Sequence, residues 1–442
     1  MSETGPVTRG AKLCAPAASG SRRTLSGNVA WALAGNVGYA ACQWGVLASI
    51  AKLGTATDVG CFALGLALTA PTITLGNLHL RVIQATDARG DHSFGTYLSL
   101  RLLTTTLALA VITAVALGLG YRGATLSLIL AVALAKAFEA VSDVIFGLLQ
   151  KAENLRRIAL SMLAKGVLSV LAMALVLHLT ANLVLATFAM ACCWGALLAA
   201  YDFPAAARLA AMRPTPHLRA LTGLAWLALP MGCVAGIGSF IISVPRYAVE
   251  ASLGSAALGH FAAVSYLFVA ASQPMMALGA AVTPRLGRHY FSDRRAYRRL
   301  TRRTLLAAAG LGLLGVAGAA LCGPVVLRIA YAPEYAADAP VLFWLAVAAA
   351  VSFAANVLGA AVTAARRLPE QLPVAALSLV VCAVASHLLV PRWGLVGAAW
   401  AVCATECTRL ACLALIYAAL SRLAVHPRVV PAASSDEVAT TG

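Results

Sequence analysis

The side chains of this chain that could carry charge or protons sit where they are most costly, inside long apolar runs. Lys136, Glu139 and Asp143 fall within the run 124–149, and Gln150 follows it. At 100° per residue these four positions share about 60° of one helix face. Lys136 and Glu139 stand three residues apart and can pair. Lys165 lies in the next run, and Glu406 and Arg409 stand one turn apart in the last. Asn36 and Gln43 share a face of the first run. A charge in hydrocarbon needs a partner or a water-filled cavity. Two readings fit: neutralised pairs that hold helices together, or functional groups facing a water-filled path. Asp143 and Lys165 have no partner nearby in sequence, which favours the path for them. Lone polar residues such as Asn356 and His387 fit hydrogen bonds between helices better than ligation. Pro71, Pro230 and Pro274 interrupt apolar runs and mark expected kinks, serving either gating or packing.

The elements that position these residues are the apolar runs themselves. There are twelve: 28–51, 60–83, 98–120, 124–149, 157–179, 182–203, 221–245, 257–283, 304–327, 340–365, 371–391 and 394–420. Each has roughly 20–27 residues, enough to cross hydrocarbon as a helix. They are apolar all round, unlike the alternating strands of a membrane barrel. The 442 residues are 61% hydrophobic and 11% charged, which excludes a soluble domain. The net charge of +17 is distributed by gap. Twenty-five Lys and Arg residues occupy one alternate set of gaps, and five the other. Basic residues stay on the cytoplasmic side, so both termini are expected there. The same distribution argues against a nucleic-acid partner, since no single basic face is built. The cluster at 285–303 lies within reach of anionic lipid. The eleven Cys residues lack paired spacing and read as small apolar side chains. The N-terminal tail is too short in apolar residues for a signal peptide.

No phosphate-binding loop, metal-ligand pattern or nucleophile elbow occurs, so no cofactor, no metal and no catalytic residue are expected. The longest connections, 204–220 and 284–303, are too short to house an extramembrane active site, which argues against an enzyme. A repeat points to transport. Leu53-Gly54, then Gly60-Cys61-Phe62-Ala63 and Pro71, is echoed about 200 residues on by Leu253-Gly254, Gly259-His260-Phe261-Ala262 and Pro274. Each copy falls at the second run of a six-run half. The expected fold is therefore an all-α membrane protein of 12 transmembrane helices in two six-helix halves. An even number per half relates them by a pseudo-two-fold axis along the membrane normal. The expected organisation is a disordered basic tail (1–25), an N-terminal half (26–203), a linker with Pro204, Pro214 and Pro216 (204–220), a C-terminal half (221–423) and a disordered tail (424–442).

Five stretches carry a family resemblance. They are Gly60 to Pro71, Asn77-Leu-His-Leu-Arg81 with Asp87, Gly147 to Glu153, Val244-Pro-Arg-Tyr247 followed by Gly254 and Gly259 to Ala262, and Pro391 to Trp400. Together they resemble the Wzx-type polysaccharide flippases of the multidrug/oligosaccharidyl-lipid/polysaccharide exporter superfamily. The motifs are loose; they specify the superfamily and not the sugar. Lipid II flippases of that superfamily look like 14-helix proteins, whereas this chain offers 12.

The resemblance implies transport of an undecaprenyl-diphosphate-linked repeat unit for O-antigen, capsule or exopolysaccharide, by alternating access. The lipid tail can stay in the bilayer while a sugar and a diphosphate cross it. That requires a polar cavity open sideways to lipid, with cations for phosphate. Arg81 and Arg246, at opposite ends of their spans, are the candidates to receive the head group, since Arg binds phosphate bidentately. Lys136, Lys165 and Arg409 are candidate mid-path contacts, and Glu139, Asp143 and Glu406 candidate proton carriers. Expected partners are the lipid-linked oligosaccharide, bilayer lipids, and a polymerase and co-polymerase of the same pathway. Arg-over-Lys, Ala-rich usage points to a GC-rich bacterium, hence its inner (plasma) membrane. A multidrug or cation antiporter of the same fold, a lipid II-type flippase and a polysaccharide polymerase are the alternatives. The polymerase lacks its large outer loop here, and an antiporter calls for an acidic cavity, whereas three intramembrane bases here match three acids.

Overall fold

The computed structural model describes residues 25–87, 90–215, 217–365 and 367–422. The tails expected before residue 25 and after 423 lie outside them, as do Arg89, Pro216 and Arg366. The described residues form helices and no strand: α1 (Leu25–Leu53), α2 (Ala56–Asn77), α3 (Leu80–Thr86), α4 (Phe94–Gly118), α5 (Gly123–Lys151), α6 (Leu155–Thr180) and α7 (Leu183–Leu197). A π-helical turn, Leu198–Asp202, leads into α8 (Phe203–Ala207). Then follow α9 (Leu218–Ser292), α10 (Arg294–Ala330), α11 (Ala339–Ala364) and α12 (Gln371–Arg422). Eight helices among the described residues are long and apolar enough to cross a membrane.

Local sequence sets the helix starts. Thr55 and Asp58 form a reciprocal capping box at α2, with Thr55 N donating to Asp58 Oδ2 at 2.9 Å and Asp58 N to Thr55 Oγ1 at 3.2 Å. Asp293 starts α10 by accepting from the backbone N–H groups of Arg295 and Ala296 at 2.8 and 3.0 Å. Glycine breaks the two longest elements. The 75 residues of α9 would run about 110 Å if straight, far beyond one bilayer. They turn at Gly254, at φ 82° and ψ 178°, a conformation that excludes a β-carbon. The 52 residues of α12 turn likewise at Gly394, at φ 57° and ψ −138°.

The molecule wears its apolar side chains outward. On α10, Leu306, Leu313, Leu314, Leu321 and Ile329 are mostly exposed, whereas Arg101, Lys165 and Asp202 are buried. That inversion suits a lipid surround, and the molecule is a multi-pass membrane protein. The largest apolar cluster joins α1 and α2 to α9, the 331–345 stretch and α12. Its closest approach is between α2 and α9. A β-carbon on Gly60 would lie 1.7 Å from the Ser255 carbonyl oxygen, and one on Gly259 would lie 1.9 Å from that of Ala56. Gly60 and Gly259 are the matched glycines of the internal repeat. Each meets the carbonyl four residues before the other, a reciprocal contact that any side chain would force apart.

Candidate functional site

Two chemically different cavities are lined by charged side chains. The first is built on the N-terminal helices. α2 stops at Asn77 because Leu78 and His79 both take left-handed backbone, at φ 49° and 51°. The offset lets α3 set Arg81 against α5. Arg81 Nη1 lies 3.6 Å from Asp143 Oδ1, its Nε donates to Gln150 Oε1 at 3.1 Å, and its guanidinium lies over the Phe146 ring. Asp143 also receives Arg101 Nη2 at 3.2 Å. Arg101 is fully buried and donates to Asn77 Oδ1 as well. One carboxylate thus holds two guanidiniums.

A helical turn away, Lys136 Nζ donates to Glu139 Oε2 at 2.7 Å, and Tyr39 OH donates to Glu139 Oε1 at 2.6 Å. The Lys136 ammonium also lies 5.5 Å from the centroid of the Trp194 ring. Arg81, Lys136, Glu139 and Asp143, with Asn77 and His79, line one open cavity of about 360 Å³. The shared helix face read from the 136–139–143–150 spacing therefore exists. Lys165 is not among the residues lining that cavity. It is buried, donating to Asp202 Oδ2 at 2.7 Å and to Ser142 Oγ. Ser142 and Ser161 complete the Asp202 carboxylate at 2.8 and 2.7 Å.

The second cavity lies in the C-terminal helices, and it is narrow, about 60 Å³. Arg246 lines it together with Pro245, Phe261, Phe268, Leu345 and Glu406. Arg246 is only 7% exposed. Among the described residues no carboxylate comes within 4 Å of it, and its guanidinium lies over the Tyr266 ring, 5.8 Å from the centroid. Glu406 is engaged elsewhere, 2.9 Å from Arg409. Arg409 also donates to Ser352 Oγ at 3.1 Å and to Asn356 Oδ1 at 2.9 Å. Asn356 is thus a hydrogen bond between helices, as its isolation in sequence implied.

The structure brings together Arg81, Lys136, Glu139 and Asp143, and separately Arg246 and Glu406. Pro71 is buried within a continuous α2. Non-helical backbone inside α9 is confined to Gly254, and the helix runs through Pro230 and Pro274. Several partners escaped the sequence reading: Tyr39, Arg101 and Asp202. Arg101 counted there as a topology charge, and Tyr39 and Asp202 reach their partners across 100 and 37 residues. Asp202 did carry one signal, an acid inside an apolar run. Outside the spans, burial alone would raise the Asp87 carboxyl. Bonds from the Asp91, His92 and Gly90 N–H groups, with Lys151 nearby, hold it below the ordinary value. Among the described residues no group of three His, Cys, Asp or Glu side chains could hold a metal.

This architecture defines a class. The chain has the fold of transporters of the multidrug/oligosaccharidyl-lipid/polysaccharide exporter (MOP) superfamily. The lipid II flippase MurJ in an inward closed conformation matches with a TM-score of 0.71 at 10% identity, over 88% of this chain and 87% of that one. An inward-facing multidrug resistance MATE family transporter of the MOP superfamily matches at 0.63 and 16% identity, over 90% and 96%. In sequence the chain is 24% identical over 369 residues to the capsular polysaccharide biosynthesis protein CapF of Staphylococcus aureus, covering 82% of this chain and 92% of that protein. No family model matches the chain. The likeness thus rests on sequence to a capsular polysaccharide biosynthesis protein and on the fold of MOP transporters.

Proposed function

We propose that this protein is a flippase for an undecaprenyl-diphosphate-linked oligosaccharide in the bacterial inner membrane, acting in polysaccharide biosynthesis and not as an enzyme. The observation that carries the reading is Arg246, a buried cation with no carboxylate partner among the described residues, lining a cavity. A buried charge left unpaired is strongly unfavourable, so the site is complete only when an anion enters. Diphosphate supplies one, and Arg holds it bidentately. A cation antiporter needs the opposite, an unpaired buried carboxylate. CapF, named for capsular polysaccharide biosynthesis, supports the sugar-bearing lipid as cargo. A lipid II-type substrate is the second reading, favoured by the MurJ likeness and served by the same head-group chemistry.

Division of α9 at Gly254 and α12 at Gly394, with α1 and α5 added to the apolar helices, gives twelve crossings. The reciprocal Gly60–Gly259 contact supports two six-helix halves about a pseudo-two-fold axis. Alternating access then follows from the halves tilting about that contact. Arg81 and Arg246 receive the head group on the two sides. Glu139, Asp143 and Glu406 are the proton-coupling groups, each released from its cation when protonated. Both termini and the 284–303 loop face the cytoplasm, where glycosyltransferases deliver the cargo, and a polymerase with its co-polymerase takes it up outside.

Depletion of the protein in its host should accumulate the lipid-linked repeat unit on the inner leaflet and stop polymer export. Normal export, or accumulation on the outer leaflet, would refute the reading. A reporter active only in the cytoplasm should work when fused after residue 293 and fail after residue 122.

A further inference from the structure

A third cavity, about 390 Å³, lies where α6 begins and the π-helical turn passes into α8. Arg156, Arg157 and Arg208 line it, together with Tyr201, Pro204 and Leu160. It shares no lining residue with the cavities of Arg81 and Arg246. Among the described residues no carboxylate comes within 4 Å of any of the three arginines. Arg156 and Arg157 stand in the first turn of α6, the positive end of its dipole, and that turn holds no acid. The carboxylate adjacent to Tyr201 is engaged elsewhere: Asp202 is buried and taken up by Lys165, Ser142 and Ser161. The cavity therefore keeps its positive charge.

Its place relative to lipid is also marked. Leu160 is 38% exposed, and beyond it α6 presents Val167, Leu171 and Leu175 outward. On the opposite side Arg208 begins the polar connection to α9. The Arg156 guanidinium lies over the Trp31 ring, 5.5 Å from its centroid. An indole beside a cation suits the boundary between hydrocarbon and water.

We propose that this cavity binds the phosphate head group of an anionic membrane phospholipid, a resident lipid and not the cargo. The site needs only that the chain spans a membrane, whichever cargo it carries. Three converging guanidiniums attract a phosphate strongly, and Arg can grip it bidentately. A zwitterionic head group brings its own cation and gains less. A soluble phosphate would satisfy the arginines but leave the apolar wall at Leu160 unused, whereas a phospholipid lays its acyl chains along it. The head group then ties the start of α6 to the π-helical turn and α8, the segment that leads out of the first seven helices.

The test uses the full chain in phosphatidylcholine nanodiscs doped with phosphatidylglycerol that bears a diazirine near the glycerol end of one acyl chain. Illumination should label residues within 156–160 and 200–208, located by mass spectrometry, about tenfold or more above a phosphatidylcholine probe of the same design. Arg156→Gln, Arg157→Gln and Arg208→Gln together should bring the two probes level. Arg295→Gln, Arg298→Gln and Arg299→Gln remove the same charge from exposed positions of α10 and should leave the preference intact. Equal labelling by both probes on the wild-type protein would overturn the proposal, as would a preference that survives the cavity variant. An equal loss in the α10 variant would reduce the effect to net charge and overturn it too. Displacement by inorganic phosphate at constant ionic strength would make this a site for a soluble anion. Displacement by polyprenyl diphosphate but not by unlabelled phosphatidylglycerol would make it an entry point for cargo. Either result overturns the assignment to a resident lipid. Should the cavity variant fail to fold, the probe comparison and the competitions on the wild-type protein decide.

Discussion

The helices before residue 208 and those after residue 217 treat charge in a membrane in opposite ways. Before residue 208, Lys136 has Glu139, Lys165 has Asp202, and Arg81 and Arg101 share Asp143. After residue 217 Arg409 has Glu406, but Arg246 has an aromatic ring and a mostly apolar pocket. The first arrangement neutralises its charges within the chain. The second leaves a buried guanidinium with no carboxylate within 4 Å among the described residues. Charge counts do not show this difference, because it depends on which charges meet.

The comparison breaks first at Lys165. If its pair with Asp202 is a structural clamp, Lys165→Met alone should destabilise the protein by about 3–5 kcal/mol, since it strands a buried carboxylate. Lys165→Met with Asp202→Leu should recover most of that loss. Thermal unfolding and membrane abundance report both. Normal abundance of the single variant with failed export would move Lys165 into the transport path.

Arg246 against Arg81 comes next. Arg246→Ala should lower export per molecule by about tenfold or more, the loss of charge-assisted hydrogen bonds worth about 1.5–3 kcal/mol, with abundance retained. Arg246→Lys should restore part of it, because a point charge keeps the attraction and loses the fork. Arg81→Ala should act more weakly, since Arg101 still neutralises Asp143. Equal loss in both would erase the distinction between the two regions. Export measured against membrane protein level separates these outcomes.

Cavity exposure is a subtler check. In a background lacking native Cys, a cysteine at 143 should react with a small charged thiol reagent, and one at 141 should not. Asp143 lines the open cavity and Val141 is 7% exposed. Equal inertness would close the cavity.

The smallest expected effect lies at Asp87, which ties down the connection into α4. Asp87→Ala should speed limited proteolysis of that connection and leave export unchanged. Its carboxyl is held below the ordinary value, so its contribution is present above about pH 4 and is lost only as pH falls through the lower folded value. Proteolysis at pH 5 and pH 8 should therefore match.

Much of this protein was legible in its sequence. Apolar runs of bilayer length declare membrane helices because lipid offers the backbone no partner but itself. The helical period placed Lys136, Glu139, Asp143 and Gln150 on one face, and they share one face of α5. The i,i+3 pairs Lys136–Glu139 and Glu406–Arg409 form as their spacing required. The repeat pointed to Gly60 and Gly259, which meet. Period and spacing are local properties, and a helix transmits them directly into three dimensions.

Tertiary structure alone decided the partners that lie far apart along the chain. Asp143 seemed unpaired because Arg81 and Arg101 reach it from other helices. Lys165 seemed available because Asp202 stands 37 residues away. Arg246, one basic residue among 33, becomes distinct only because folding buries it with no carboxylate within 4 Å among the described residues. Whether an intramembrane charge is clamped or waiting depends on which neighbours come within a few ångströms, and in low dielectric that distance governs its energy.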